Sequence, residues 1–482
     1  MQRFKGIAPY ITAICICIFV SFPAVSQSVV LDEAYSAVLV RGNIPDIIRG
    51  AAIDVHPPLY YLILKVSQFF GGESLLKYRL VTAGGTYLNL LLLGATLIRK
   101  RWGCRVSILY ILWFGLTYST LEKTTFLRMY SWGAFFVTGA AIFLFLYYEN
   151  GKKRDILLGA VMTLAAMYTH YYAVISVFLM WVILLLAVFL KKRENTKIVL
   201  LGGVLVTIGY LPWLKTMLAQ SMKVADNYWI ASFSWSRWGA VPAALTESSD
   251  APLTGIGAAL YGLLIMLFLF GFLRKKWEAL LCVAVFFGTM LAGALFSVLV
   301  TPIWTSRYMY VGWGLIALFV AVIAGTVTGS FSNISQGLLV FLLAMVGAVS
   351  AKVMLADETM NSDAAAWVDF LAENVDETAC LIIDNPSEHD AVFKYYLPNA
   401  VFVFTEKLLT QDIEDGLETF LTENKGSQIW YVIDYRQQRI GTDKIGACLE
   451  ELGYTMETVD SFIIKYKSLE VFKVEEKGNE QY

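Results

Sequence analysis

The residues with chemistry to offer are Asp32 and Glu33 in "LDEAYS", Asp54 and His56 in "DVHPPLYY", Arg79 in "KYRL", Arg128 in "LEKTTFLRMYS", His170 in "MYTHYYAV", and Arg307 with Tyr308 in "TSRYMY". An ionised carboxylate takes a proton from a hydroxyl or amine as general base, or holds a divalent cation. The bland alternative for the Asp32–Glu33 pair is a solvated helix start, where acids suit the positive end of the dipole. Arginine presents a planar fork of donors that matches phosphate oxygens and stays charged when partly buried. At the margin of an apolar segment it also snorkels, which is the competing reading of Arg128 and Arg307. The chain has three histidines. His56 reads as a phosphate or metal contact, or as a loop end before two prolines that fix the backbone. His170 reads as a site residue or as a satisfied turn residue. Tyr308, with Tyr130, Tyr171, Tyr172 and Tyr310, suits a sugar or lipid groove or an interfacial aromatic belt.

The elements that must position these groups are membrane-length. Of 482 residues, 57% are hydrophobic and 16% charged, against about 25% charged in soluble domains, so the chain reads as a polytopic membrane protein. A net charge of −1 offers no basic surface for nucleic acid. The six cysteines are scattered singly, without zinc-finger spacing or a disulfide framework. The N-terminal apolar stretch exceeds a signal core of about 7 to 15 residues and reads as an uncleaved first span.

A span needs about 20 helical residues. Apolar runs predict eleven, near 7–26, 78–98, 104–119, 130–148, 155–169, 171–190, 198–218, 253–273, 278–300, 308–327 and 337–355. The run from 155 to 190 is too long for one crossing and is expected to turn at "YTHYY". Residues 57–72 are too short to cross, begin with two prolines and carry Lys65 and Gln68, which predicts an interfacial or dipping helix within an outer loop of about 28–77. Arg3 with Lys5, "RKRWGCR", "KKR", "KKRENTK" and "RKK" fall at every second loop, as positive-inside orientation requires. Under that topology the residues of the first paragraph collect on the extracytoplasmic side. Ionisable groups at span margins are costly unless paired or useful, so the shared face is a candidate site.

Residues 1–356 thus form the membrane domain, and 357–482 change to soluble composition. "ACLIID", "AVFVFTE" and "QIWYVIDY" read as buried strands, and "NSDAAAWVDFLAEN", "LTQDIEDGLETFLTEN" and "TDKIGACLEELGY" as amphipathic helices, predicting a small extracytoplasmic α/β domain. The stretch 219–252 reads as a second long polar loop.

There is no Walker loop, GxGxxG fingerprint, GxSxG elbow or HExxH pair, which disfavours ATP and nucleotide-sugar chemistry. The ordered motifs "DEAYS", "D-x-HPPLYY", "RMYSWG", "YTHYYAV" and "SRYMYVGWG" resemble the bacterial membrane glycosyltransferases of the protein O-mannosyltransferase and aminoarabinose transferase type, over residues 1–355. The resemblance implies a GT-C transmembrane bundle that moves a sugar from a polyprenyl-phosphate carrier to a lipid, cell-wall polymer or protein acceptor, with inversion. It makes Asp32 the general base or acceptor-orienting carboxylate, supported by Glu33. It casts Arg128 and Arg307 on the lipid phosphate and lets Asp54, His56, Arg79, His170 and Tyr308 shape the substrate cavity. A divalent cation is a candidate cofactor in some relatives of this type. Two other classes remain open: a transporter or flippase of lipid-linked sugars, and a scaffold or sensor working through the C-terminal domain.

Overall fold

A computed structural model describes residues 2–25, 29, 31–70, 73–226, 251–327, 332–356, 370, 373–376, 378–384, 390–408, 413–435, 438, 440–464 and 467–477. The chain forms two compact units, Met1–Val25 with Leu39–Met354, and Ser26–Val38 with Leu355–Tyr482.

In the first unit every apolar run named above is helical. Among the described residues, eight helices are long and apolar enough to cross a membrane. A ninth crossing would be the pair Cys104–Gly115 and Tyr118–Thr125, which bends by 72°. The count of eleven also needs Lys153–Met167, of 15 residues, and Gly257–Leu273. The first is shorter than the roughly 20 residues that a perpendicular crossing requires, and the second lies within helix Ala251–Leu273, of 23 residues. The expected turn at "YTHYY" is present, with helices Lys153–Met167 and Tyr171–Lys191 on either side.

The helices differ in what surrounds them. Tyr130–Asn150 and Ser306–Gly325 are 83% and 89% buried over their apolar windows, so they form the centre of the bundle. Tyr171–Lys191 and Arg193–Met222 are 33% and 22% buried, leaving most of their leucine and valine faces to lipid. Close approach at the centre depends on small residues. A Cβ on Gly85 would lie 2.5 Å from the backbone of Ser131 and Trp132, so helix Leu75–Leu88 meets Tyr130–Asn150 almost backbone to backbone.

The first outer segment is helical too. Asn43 and Asp46 form a capping box that starts helix Ile44–Ile53. Pro57 and Pro58 separate it from helix Leu59–Lys65, in which Tyr60, Tyr61 and Leu64 are buried. Hydrogen bonds from two donor residues help fix this segment to the bundle. The Leu59 amide donates to the Tyr168 carbonyl at 3.0 Å, and the Gln220 amide group donates to the carbonyls of Ala51 (2.8 Å), Ala52 (3.1 Å) and Asp54. Gln220 belongs to helix Thr196–Asp226, so the loop expected from 219 is helix as far as Asp226; residues 227–250 lie outside the described residues.

The second unit holds a five-stranded sheet: β1 (Cys380–Asp384), β2 (Val401–Phe404), β3 (Ile429–Asp434), β4 (Tyr454–Ile464) and β5 (Lys467–Glu476), in the order β2-β1-β3-β5-β4. β1 pairs in parallel with β2 and β3, while β5 runs antiparallel to β3 and β4. Helices Ile413–Glu423 and Thr442–Glu451 contribute Leu417, Leu421, Ile445 and Leu449 to a core with Ile382, Tyr431 and Phe472 of the sheet. Asp384, at the end of β1, is buried and accepts from Thr405 Oγ1 (2.8 Å), the Tyr431 hydroxyl (3.2 Å) and the Gly441 amide (2.7 Å). Most of the helix expected at "NSDAAAWVDFLAEN" lies outside the described residues.

Candidate active site

In the first unit, three of the sequence candidates converge with one residue that was not among them. Asp54 Oδ2 accepts from the Tyr61 hydroxyl at 2.9 Å and lies 3.3 Å from His56 Nδ1. Arg128 donates through Nη1 to the Tyr61 oxygen at 3.3 Å, and its Nη2 lies 3.2 Å from the same His56 nitrogen. His56 Nδ1 therefore chooses. Carrying a proton, it donates to Asp54; without one, it accepts from Arg128. Burial opposes ionisation of Asp54, yet the charges of His56 and then Arg128 outweigh it and hold the carboxyl well below the usual range.

His170 stands beside this network, its ring 5.8 Å from that of His56 and 5.0 Å from that of Tyr308. It is the N-cap of helix Tyr171–Lys191, its Nδ1 accepting the Tyr172 amide at 3.1 Å. Burial, followed by the charges of His56, Arg128 and Arg307, pushes its pKa well below the ordinary 6.5. With Nδ1 accepting and the ring neutral, the proton must sit on Nε2. That N–H is buried and meets no hydrogen-bond acceptor among the described residues. The His170 ring stands among aromatic rings, its centre 5.8 Å from that of Tyr130 and 6.1 Å from that of Tyr172. Tyr172 is itself fixed by donating to the Ile303 carbonyl at 3.0 Å.

The surrounding charge is positive. Arg307 opens the helical turn Ser306–Gly312, its guanidinium 5.6 Å from the centre of the Tyr308 ring. Lys123, buried and 3.0 Å from Glu122, lies 5.4 Å from the Tyr130 ring. Arg128, Arg307 and Lys123 are gathered here with the carboxylates of Asp54 and Glu122. A cluster so furnished suits an anion with several oxygen acceptors, and its aromatic rings suit a sugar face.

Arg79 is buried in helix Leu75–Leu88 and donates to the Ala24 carbonyl at 3.4 Å. Asp32 and Glu33 open helix Leu31–Leu39 within the second compact unit; Glu33 is 3% exposed and Asp32 half-buried. In that unit the Val29 amide donates to the Tyr396 hydroxyl at 3.1 Å. Among the described residues no three His, Cys, Asp or Glu side chains are placed to hold a metal ion.

Tyr61, Lys123 and Gln220 were missed as site residues. Tyrosine next to an apolar run reads as a belt residue, and lysine beside glutamate as a surface pair. No helical spacing pointed to Tyr61, because Asp54 closes helix Ile44–Ile53 while Tyr61 lies in helix Leu59–Lys65, beyond the two prolines.

Two solved structures share this arrangement of helices and sheet. One is ArnT from Cupriavidus metallidurans in the apo state, with 12% identity and a TM-score of 0.65, covering 96% of this chain and 97% of that one. The other is the same enzyme bound to undecaprenyl phosphate, with 12% identity and a TM-score of 0.67, covering 96% and 98%. The fold is that of ArnT. It is the GT-C type that the motifs led us to expect, and it makes the chain a multi-pass membrane protein. The ArnT fold extends through the C-terminal sheet, beyond the reach of the sequence motifs. No family model and no curated protein sequence matches the chain.

Proposed function

We propose that the protein is a membrane glycosyltransferase that moves a hexosyl or pentosyl group from a polyprenyl-phosphate-linked donor to a lipid, glycan or protein acceptor on the extracytoplasmic face. One observation carries the reading: the buried Nε2–H of His170 lies without an acceptor beside Arg128 and Arg307, in the fold of an enzyme that binds undecaprenyl phosphate. A lipid-linked phosphate would supply the missing oxygens.

In this reading Arg128, Arg307 and His170 hold the donor phosphate while the bond between the anomeric carbon and the phosphate oxygen breaks. Charge grows on that oxygen as polyprenyl phosphate departs, and donors already in place stabilise it without reorganising. The acceptor hydroxyl attacks the anomeric carbon from the opposite face, which inverts the centre, and its proton passes to a carboxylate. Asp54 is a poor recipient. A general base works best with a pKa near the operating pH, and Asp54 is held far below it. It acts instead on His56 and Tyr61, fixing both toward Arg128. The base is assigned to Asp32, with Glu33 in support. Arg79 and Tyr308 complete the cavity. The Lys/Arg clusters at every second loop support the extracytoplasmic placement.

Purified protein given a polyprenyl-phosphate-linked sugar and a membrane extract is expected to release polyprenyl phosphate and to form a glycoside of inverted configuration, read by NMR. Arg128→Ala should lower release by about 10²-fold, the usual loss when a donor to a developing oxyanion is removed. Arg128→Lys should recover little, because an ammonium cannot meet Tyr61 and His56 together. Sugar crossing sealed vesicles with no new glycosidic bond would replace this reading with the transporter.

A further inference from the structure

Away from that cluster, at the far end of helix Tyr171–Lys191, lies a cavity of about 270 Å³. Helix Tyr171–Lys191 begins at the His170 cap and ends at this cavity, 21 residues later, roughly 30 Å away at 1.5 Å per residue. Its walls are apolar, with Leu144, Met180, Leu184 and Val285 from three helices. By comparison, a cavity of about 150 Å³ accepts a benzene ring. The mouth is different in kind: Tyr148, Lys191, Trp277 and Glu278 stand there.

The charges at the mouth do not cancel. Glu278 is 3.7 Å from Arg101, which also binds Glu149, so both acids are answered by one arginine. The Lys192 ammonium is engaged by the Tyr148 and Glu149 carbonyls that close helix Tyr130–Asn150. Lys191 has no ion partner among the described residues, and Arg274, Lys275 and Lys276 directly precede Trp277. An apolar slot opening beside an unanswered ammonium, a basic tripeptide and an exposed tryptophan matches one chemistry: a hydrocarbon chain with an anionic head at the membrane interface.

We propose that this cavity holds one acyl chain of an anionic phospholipid, with the phosphate against Lys191 and the basic loop 274–276. The site is separate from the candidate active site and does not depend on its assignment. Bound lipid would join helices Tyr130–Asn150, Tyr171–Lys191 and Trp277–Leu299 at their inner ends.

The test uses the full chain in detergent, mixed with phosphatidylglycerol or phosphatidylcholine of equal chain length, with retained lipid counted by native mass spectrometry. Wild type should retain phosphatidylglycerol in preference. Lys191→Glu, at an exposed position, should cut retention roughly fivefold or more, since one basic side chain near an anionic head contributes about that factor. Ala187→Phe, which fills the slot from helix Tyr171–Lys191, should cut it as well. Arg128→Ala should leave it unchanged. Equal retention of the two lipids, or insensitivity to either Lys191→Glu or Ala187→Phe, overturns the proposal.

Discussion

His170 carries two jobs on one ring, and they can be separated. Its Nδ1 caps a helix and its buried Nε2–H has no acceptor among the described residues. Asparagine is a good N-cap but too short to replace the Nε2 donor. His170→Asn should therefore keep thermal stability near that of wild type while raising KM for the lipid-linked donor several-fold. His170→Ala should show the same KM effect and lose about 1 kcal/mol of stability with the cap. Acid separates them further. Because the folded pKa of His170 lies below its ordinary 6.5, the unfolded chain binds the proton more readily than the folded one. Stability is then fully present above pH 6.5 and falls as the pH drops below it, by up to about 1.4 kcal/mol per unit from this residue. Denaturation midpoints from pH 8 to pH 5 should show a steeper acid loss in wild type than in His170→Asn. Parallel profiles would mean that His170 does not remain neutral.

The bundle elements depend on contacts that leave no room for side chains. At Gly85 an added Cβ would meet backbone atoms of Ser131 and Trp132 at 2.5 Å, and backbone cannot swing aside. Gly85→Val should separate helices Leu75–Leu88 and Tyr130–Asn150 and destabilise by about 1–3 kcal/mol, the usual range for overpacking. A lower midpoint with Tyr130 displaced should also reduce turnover, because that ring packs beside the ring of His170. A midpoint unchanged from wild type would show that the close approach is not obligatory. Elements of this kind were legible to different degrees. Apolar length marked the helices, and the prolines at 57 and 58 marked the break before Leu59. Helix Thr196–Asp226 outran its apolar stretch because its last residues are polar, and Gln220 there is held by partners in the outer segment rather than by hydropathy. The β4–β5 hairpin was also missed, although "LEVFKVE" carries alternation; its buried Leu469, Val471 and Val474 are interleaved with charges that read as a solvated tail. At the site, rare ionisable residues in an apolar chain were visible, but partners such as Tyr61 are common in membrane proteins and gained meaning only through geometry.

At the scale of the whole molecule, the two compact units divide the candidate residues. Asp54, His56, Tyr61, Arg128, His170 and Arg307 belong to the first unit, and Asp32 and Glu33 to the second, with the C-terminal sheet. Ending the chain at Ala356 removes the sheet core and Tyr396, which accounts for the bond to the Val29 amide, but removes no member of the phosphate-binding set. Such a truncation should retain polyprenyl phosphate with an affinity within a few-fold of the full chain, measured by native mass spectrometry, while losing transfer to acceptor. Asp32→Asn in the full chain should give the same pattern, with lipid phosphate bound and turnover abolished. If the truncated chain still transferred sugar while Asp32→Asn did not, the carboxylate would act independently of the sheet. If both variants kept full turnover, the base would have to be sought elsewhere than the acid pair, and Asp54 would be a poor replacement because the cations around it hold its proton affinity low.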